Sequence, residues 1–318
     1  MKVVLTIDTE PSIAGAFRNS NFSPLIHEPV AGIVNEQSEA LGFLIRLFKH
    51  YQFQATFFVE TVHTHYFSDA PMGHYVDQLL DASQDIQLHI HPVWHYFKTQ
   101  QHTSDHCADH TPEFLADLIR DGQNILNKWT GKEPLAMRTG GFSVGHNVYQ
   151  AMDMTGLNIA SNICASYCKP TEKDLYVTHG KHQLNNIIEL PVTCFHDYNI
   201  RNLHNLRSLQ ITAISGWEMT QTLDKMEKNG HEVAVIVTHP FEFLKANNYR
   251  YDNMRVNKMV QKRAEYLCKY LDKNRDRFDV VPIEQASLIP NLARAKIVTG
   301  NPFLSFMRSA SNFINDKI

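Results

Sequence analysis

The sequence has no surplus of charge of either sign. Its 30 Lys and Arg stand against 33 Asp and Glu, a formal net charge of −3, and the basic residues are scattered. Without a positive field to hold a polyanion, nucleic acid is not an expected partner. Long apolar runs are missing too. Nothing approaches the roughly 18 unbroken apolar residues of a membrane helix, so no transmembrane segment is expected. The opening Met1-Lys2-Val3-Val4-Leu5-Thr6-Ile7 runs straight into acidic residues, unlike the apolar stretch and small-residue cleavage site of a secretory leader. Cysteine is sparse: Cys107, Cys164, Cys168, Cys194 and Cys268 are odd in number and lack zinc-ribbon spacing. That argues against a disulfide framework and for a reducing compartment, so a cytoplasmic location is expected. No Gly/Ser linker, internal repeat or low-complexity tract marks a second domain.

What is present is a chain of 318 residues, 43% hydrophobic and 20% charged, a balance typical of a folded protein. Histidine is the surplus, with 18 residues, several in short clusters. Apolar runs rich in β-branched and aromatic residues alternate with helical patterns, which predicts an α/β fold of strand–helix units around a parallel sheet or barrel. Strands are expected at 3–8, 53–59, 86–91, 135–138, 157–163, 187–192, 233–239 and 278–282. Leu41, Leu44, Ile45 and Phe48 repeat at helical spacing. Leu115, Leu118, Ile119, Leu126 and Trp129 do so after Thr111-Pro112, an N-cap followed by proline at the first helical position, and Gly131 ends the pattern. A third helix carries Val256, Met259, Val260, Arg263, Leu267, Tyr270 and Leu271 on one face. One domain is expected over 1–296. In the tail, 297–318, Phe303, Leu304, Phe306, Met307, Phe313 and Ile314 suit packing on the body, with a second subunit or a membrane surface as alternatives. Segments 11–35 and 66–76 have loop composition and are candidates for the wall of a cleft. No feature of the sequence sets an oligomeric state.

Four polar clusters stand at expected strand ends, where catalytic groups converge in an α/β barrel. In Thr6-Ile7-Asp8-Thr9-Glu10 two carboxylates lie two residues apart, and in extended chain such residues face the same way. In Asp85-Ile86-Gln87-Leu88-His89-Ile90-His91-Pro92-Val93-Trp94-His95, His89 and His91 alternate with apolar neighbours, so one strand face can present two imidazoles. Two imidazoles and a carboxylate suit zinc or a neighbouring first-row metal; His95 lies four residues beyond His91 and could replace either partner. In Met137-Arg138-Thr139-Gly140-Gly141-Phe142 an arginine can reach a carboxylate while Gly140 and Gly141 let the backbone approach a ligand. The run Val233-Ala234-Val235-Ile236-Val237-Thr238-His239-Pro240-Phe241 reads as a buried parallel strand delivering His239. Trp94, Phe142 and Phe241 are candidate walls for a bound ligand.

In this order, with Ala55-Thr56-Phe57-Phe58-Val59 between the first and second clusters, the sequence resembles the NodB-homology polysaccharide deacetylases, carbohydrate esterase family 4, over roughly residues 3–284. The resemblance implies a distorted (β/α) barrel of about seven strands. It also implies one divalent metal ion, commonly Zn2+, held by a carboxylate and two histidines. By the same resemblance Asp8 matches the catalytic base, Arg138 the arginine that tethers it, and His239 the general acid. The chain departs from the family pattern in two places. Asp8-Thr9-Glu10 stands where most members have adjacent aspartates, which makes Glu10 the metal carboxylate. His89 and His91 are separated by one residue rather than three; His91 with His95 would restore the usual spacing, but the lead-in Asp85-Ile86-Gln87-Leu88-His89 favours His89 and His91. The family's fourth motif, which orients the catalytic histidine, is not recognisable around 157–162. The implied activity is removal of an acetyl group, N-linked first, from a carbohydrate in polysaccharide or lipopolysaccharide metabolism. The alternatives are hydrolysis of another C–N bond, such as a formamide or cyclic amide, and a silent carbohydrate-binding relative.

Overall fold

The computed structural model describes residues 1–200, 203–305, 308 and 312. Strand β1 (Lys2–Thr9) is buried along almost its whole length, as a central parallel strand must be. Helix α1 (Leu41–Tyr51) returns the chain to β2 (Thr56–Glu60), and α2 (Ala70–Asp81) leads to β3 (Asp85–Ile90). Helix α3 (Pro112–Thr130) precedes β4 (Ala136–Thr139), and α4 (His146–Thr155) precedes β5 (Ile159–Ala160). A hairpin of β6 (His182–Leu184) and β7 (Ile187–Glu189) follows, then a separate hairpin of β8 (Cys194–Ile200) and β9 (Leu203–Ser208). Helix α5 (Gly216–Lys228), β10 (Val233–Thr238), α6 (Lys258–Lys273) and β11 (Asp279–Val280) complete the framework.

The main sheet runs β10-β1-β2-β3-β4-β5-β7-β6, with β11 also against β1. Every pairing is parallel except β6 with β7. The gap between β7 and β10 is bridged by single backbone bonds rather than a ladder. Thr193 N–H donates to Val235 C=O at 3.0 Å, and Val237 N–H to Leu209 C=O at 3.0 Å. The result is a distorted barrel, and the parallel strands deliver their carboxyl ends to one rim.

The three expected helices form. Thr111 caps α3 through its hydroxyl, and Gly131 ends it in left-handed conformation at φ +71°. Segment 66–76 differs from its expected loop character. Residues Thr64–Phe67 are helical and α2 begins at Ala70, with Pro71 in its first turn and Met72, Tyr75, Val76 and Leu79 buried. That spacing is one helical face, hidden in the sequence by intervening Pro, Gly and His. Segment 11–35 is largely irregular, apart from a Ser12–Leu25 bridge, the short helix His27–Val30 and the start of a two-residue hairpin at Ile33–Val34. The strand expected over 157–163 stops at Ala160 because Ser161 and Asn162 turn their groups onto Arg138 and Thr139. In the tail, Leu304 is buried, and Arg308 pairs with the buried carboxylates of Asp197 and Glu218. Phe306, Met307, Phe313 and Ile314 lie outside the described residues. Among the described residues, no helix is long and apolar enough to cross a membrane.

Candidate active site and metal centre

The carboxyl ends of β1, β3, β4 and β10 open into a cleft of about 460 Å³. Asp8, Glu10, His89, His91 and His239 all line it. Arg138 stands behind the wall, fully buried, and its geometry follows from its neighbours. Its Nε donates to Ser161 C=O at 3.0 Å and its Nη2 to Ser161 Oγ at 2.7 Å. The remaining Nη1 reaches Asp8 Oδ1 at 2.7 Å and Thr6 Oγ at 2.9 Å. The guanidinium lies over the Phe58 ring, 4.4 Å from its centroid, so the donor fork has one orientation. Asp8 Oδ2 faces His239 Nε2 at 3.7 Å.

His239 follows the last residue of β10 and begins a short turn over Pro240–Phe243. Its Nδ1 lies 3.1 Å from Glu242 Oε1, and Glu242 Oε2 accepts from the His239 N–H at 3.3 Å and from Thr238 Oγ at 2.6 Å. A carboxylate can only accept, so Nδ1 carries a proton and Nε2 faces the cleft. Burial alone would lower the imidazole's pKa. The Glu242 carboxylate, with Asp8 and Glu10 nearby, outweighs that and pushes it up to about 9. Glu242 is therefore the residue that orients His239, supplied from three residues downstream rather than from 157–162. Its signal was legible: His-Pro-x-Glu places an acid at the third position after an N-cap, the capping-box arrangement.

Glu10 Oε2 lies 3.0 Å from His89 Nε2 and 2.7 Å from His91 Nε2. His89 Nδ1 donates to Arg138 C=O at 2.8 Å, which turns Nε2 toward the Glu10 carboxylate. Burial raises the Glu10 pKa, but the two imidazoles, His91 foremost, hold it well below the usual carboxylate range. His91, although buried, is held well above the ordinary imidazole value by Asp105 and Glu10. The three ligand atoms, Glu10 Oε2, His89 Nε2 and His91 Nε2, thus converge within 4.8 Å of one another, and loss of the imidazole Nε2 protons would turn their electron pairs toward a common point. That arrangement asks for a cation, and carboxylate plus two imidazoles is a donor set that zinc and its first-row neighbours accept. Among the described residues no other such group occurs. His95 is not part of it; its ring packs on His65 and Phe114.

Gly140 lies under the His91 ring, where any Cβ would overlap the imidazole. Gly141 and Phe142 follow with φ of +57° and +53°. Two consecutive left-handed residues, one of them not glycine, are backbone strain of the kind held at functional sites. Phe142 and Phe241 line the cleft, and the Phe241 ring lies 4.8 Å from that of His239 at 28°. Trp94 does not belong to this wall. Its indole is buried against His63, Phe67 and Phe97, because the turn after His91 carries it back into the core. Tyr167, not singled out in the sequence, stands at the cleft with 72% exposure and an edge contact to Phe142.

No family model matches the sequence, and no curated protein does. Solved structures do. A Mycobacterium smegmatis protein assigned to the polysaccharide deacetylases superposes with a TM-score of 0.56 over 93% of this chain and 94% of its own, at 15% identity. The peptidoglycan deacetylase PdaC from Bacillus subtilis gives 0.42 at 12% identity, over 99% of this chain and 96% of its own. BA3943 from Bacillus anthracis, a pseudoenzyme of carbohydrate esterase family 4, gives 0.43 at 12% identity, over 90% of this chain and 65% of its own. The fold is the NodB-like distorted (β/α) barrel of the polysaccharide deacetylases.

Proposed function

We propose that this protein is a metal-dependent hydrolase that removes an acetyl group, most plainly an N-acetyl group, from a sugar. Residues 1–296 form its catalytic domain, and its substrate is a cytoplasmic precursor in polysaccharide or lipopolysaccharide synthesis. The observation that carries the reading is the meeting of two sets of groups in one cleft: the Glu10, His89 and His91 donors beside the Arg138–Asp8–His239 chain. Glu10, His89 and His91 would hold one divalent ion, most suitably Zn2+, which would supply Lewis-acid polarisation of the acyl carbonyl and a more acidic water. The protein's own groups handle the protons. Asp8, its Oδ1 fixed by Arg138, takes a proton on Oδ2 as water attacks the acyl carbon. As the C–N bond breaks, His239 passes its Nε2 proton to the departing amine, giving acetate and an amino sugar. Gly140 and Gly141 let the substrate approach the backbone, while Phe142 and Phe241 supply apolar wall.

Metal analysis of the purified protein beside His89→Ala and His95→Ala tests the centre. Acetate release from acetylated amino-sugar oligomers is assayed on the same samples. About one equivalent of metal in wild type and His95→Ala, none in His89→Ala, and acetate from the first two is the expected result. Loss of metal in His95→Ala alone would move the ligand pair to His91 and His95. A metal-free, inactive wild type that still binds glycans would replace the hydrolase by a binding protein.

The general-acid role has its own test. Glu242→Gln keeps an acceptor for Nδ1–H but removes the charge that holds His239 protonated. Because the protonated form is the working one, activity falls as pH rises through the His239 pKa. The alkaline limb of kcat/KM moves to lower pH in the variant than in wild type, because Glu242 is the largest of the charges that raise the His239 pKa. An unmoved limb would remove His239 from the acid role.

A further inference from the structure

His89 and His91 are held in different ways. His89 lies inside the ladder, paired with Glu60 on β2 and Arg138 on β4, and its ring is tied to a main-chain carbonyl. His91 is one residue past the end of β3, where the ladder gives no support. Two carboxylates supply it instead. Buried Glu60 accepts the His91 main-chain N–H at 3.3 Å. Asp105, fourteen residues downstream on an irregular segment, accepts from His91 Nδ1 at 2.8 Å through Oδ2 and from Val93 N–H at 3.2 Å through Oδ1.

We propose that Asp105 is a positioning residue that makes His91 a metal ligand, an inference that rests on the metal-centre reading above. Its carboxylate can only accept, so it fixes the proton on Nδ1 and leaves Nε2, 2.7 Å from Glu10, as the donor. It also stops rotation of the ring, which Gly140 alone, having no side chain, does not. The Val93 bond anchors Asp105 in turn, so the ligand and the turn after it are set together. Asp105 itself lines the cleft, which ties metal geometry to the wall that substrate meets. Its side chain is 42% exposed, and replacing it leaves no hole in the core.

The test is affinity for Zn2+ and Co2+, measured by competition with a chromogenic chelator for wild type, Asp105→Ala, Asp105→Asn and His91→Ala. Melting temperatures of the metal-free proteins are recorded alongside. Asp105→Ala is expected to bind about 10- to 100-fold more weakly than wild type, with a metal-free protein that still unfolds cooperatively and an altered Co2+ absorption spectrum. Asp105→Asn, which keeps an acceptor, falls between. In the His91→Ala background, Asp105→Ala should change affinity no further. Wild-type affinity in both Asp105 variants overturns this role and leaves the Glu10, His89 and His91 centre standing. An equal loss in the His91→Ala background also overturns it, since Asp105 would then act elsewhere. A wild type that takes up neither metal overturns both readings.

Discussion

Asp8→Asn is expected to lower acetate release by on the order of 10²- to 10⁴-fold, the span usual for loss of a positioned general base, while the protein keeps its full equivalent of metal. The asparagine amide oxygen can still accept from Arg138 Nη1, which lies 2.7 Å from Oδ1 in wild type, so the cleft keeps its shape. What the substitution removes is the oxygen that faces the cleft and His239 and can carry a proton. Glu10, His89 and His91 do not touch Asp8 through any described hydrogen bond, so metal content is a control rather than a second effect. The measurement is acetate release on folded samples of equal metal content. Retained activity in Asp8→Asn would move the base elsewhere, with Glu242 and Asp105 the carboxylates on the cleft outside the metal group.

Much of this site was legible in the sequence because it is built on strand ends, where alternation of two fixes the side a residue faces. Asp8 and Glu10, His89 and His91, and His239 each end an apolar run. The structure brings all of them to one rim. Residues that act from irregular chain were harder to read. Asp105 has no periodic neighbours, and its partner is fourteen residues away, so nothing local marks it. Glu242 had a local signal, the capping pattern after His239, but it reads first as a turn. The hairpin of β8 and β9 mixes polar and apolar residues without a regular period in Cys194–Ile200 and Leu203–Ser208, and so shows neither the buried run nor the clean alternation that revealed the barrel strands. Helix α2 was hidden for another reason. Its buried face, Met72, Tyr75, Val76 and Leu79, is correct for a helix, but Pro71 and Gly73 beside it resemble loop composition. Proline is harmless in a first helical turn, where the missing N–H has no partner to lose. Trp94 shows the reverse error: an aromatic near a strand end belongs to the core when the turn carries it inward.

Arg138→Leu should give the largest loss of stability, because it strips the partner from a buried charge. The Arg138 and Asp8 side chains are 0% and 3% exposed, and their contact is a direct ion pair. Breaking such a pair from one side typically costs about 3–5 kcal/mol, most of it the penalty of a buried carboxylate that loses its direct ion-pair partner and keeps only His239 at 3.7 Å. The same change removes the hydrogen bonds that Thr6 Oγ, Ser161 Oγ and Ser161 C=O accept from the guanidinium, while the two hydroxyls keep the bonds they donate to Ile236 C=O and Leu190 C=O. Urea unfolding should therefore show a much lower midpoint at an unchanged slope. The double variant Asp8→Asn/Arg138→Leu separates the causes. If the uncompensated carboxylate dominates, removing it recovers a large part of the loss, so the two substitutions together cost less than their sum. If the double variant is as unstable as the sum of the singles, the arginine stabilises the protein through its Ser161 and Thr6 bonds and its packing on Phe58. The ion pair would then serve orientation of Asp8 alone.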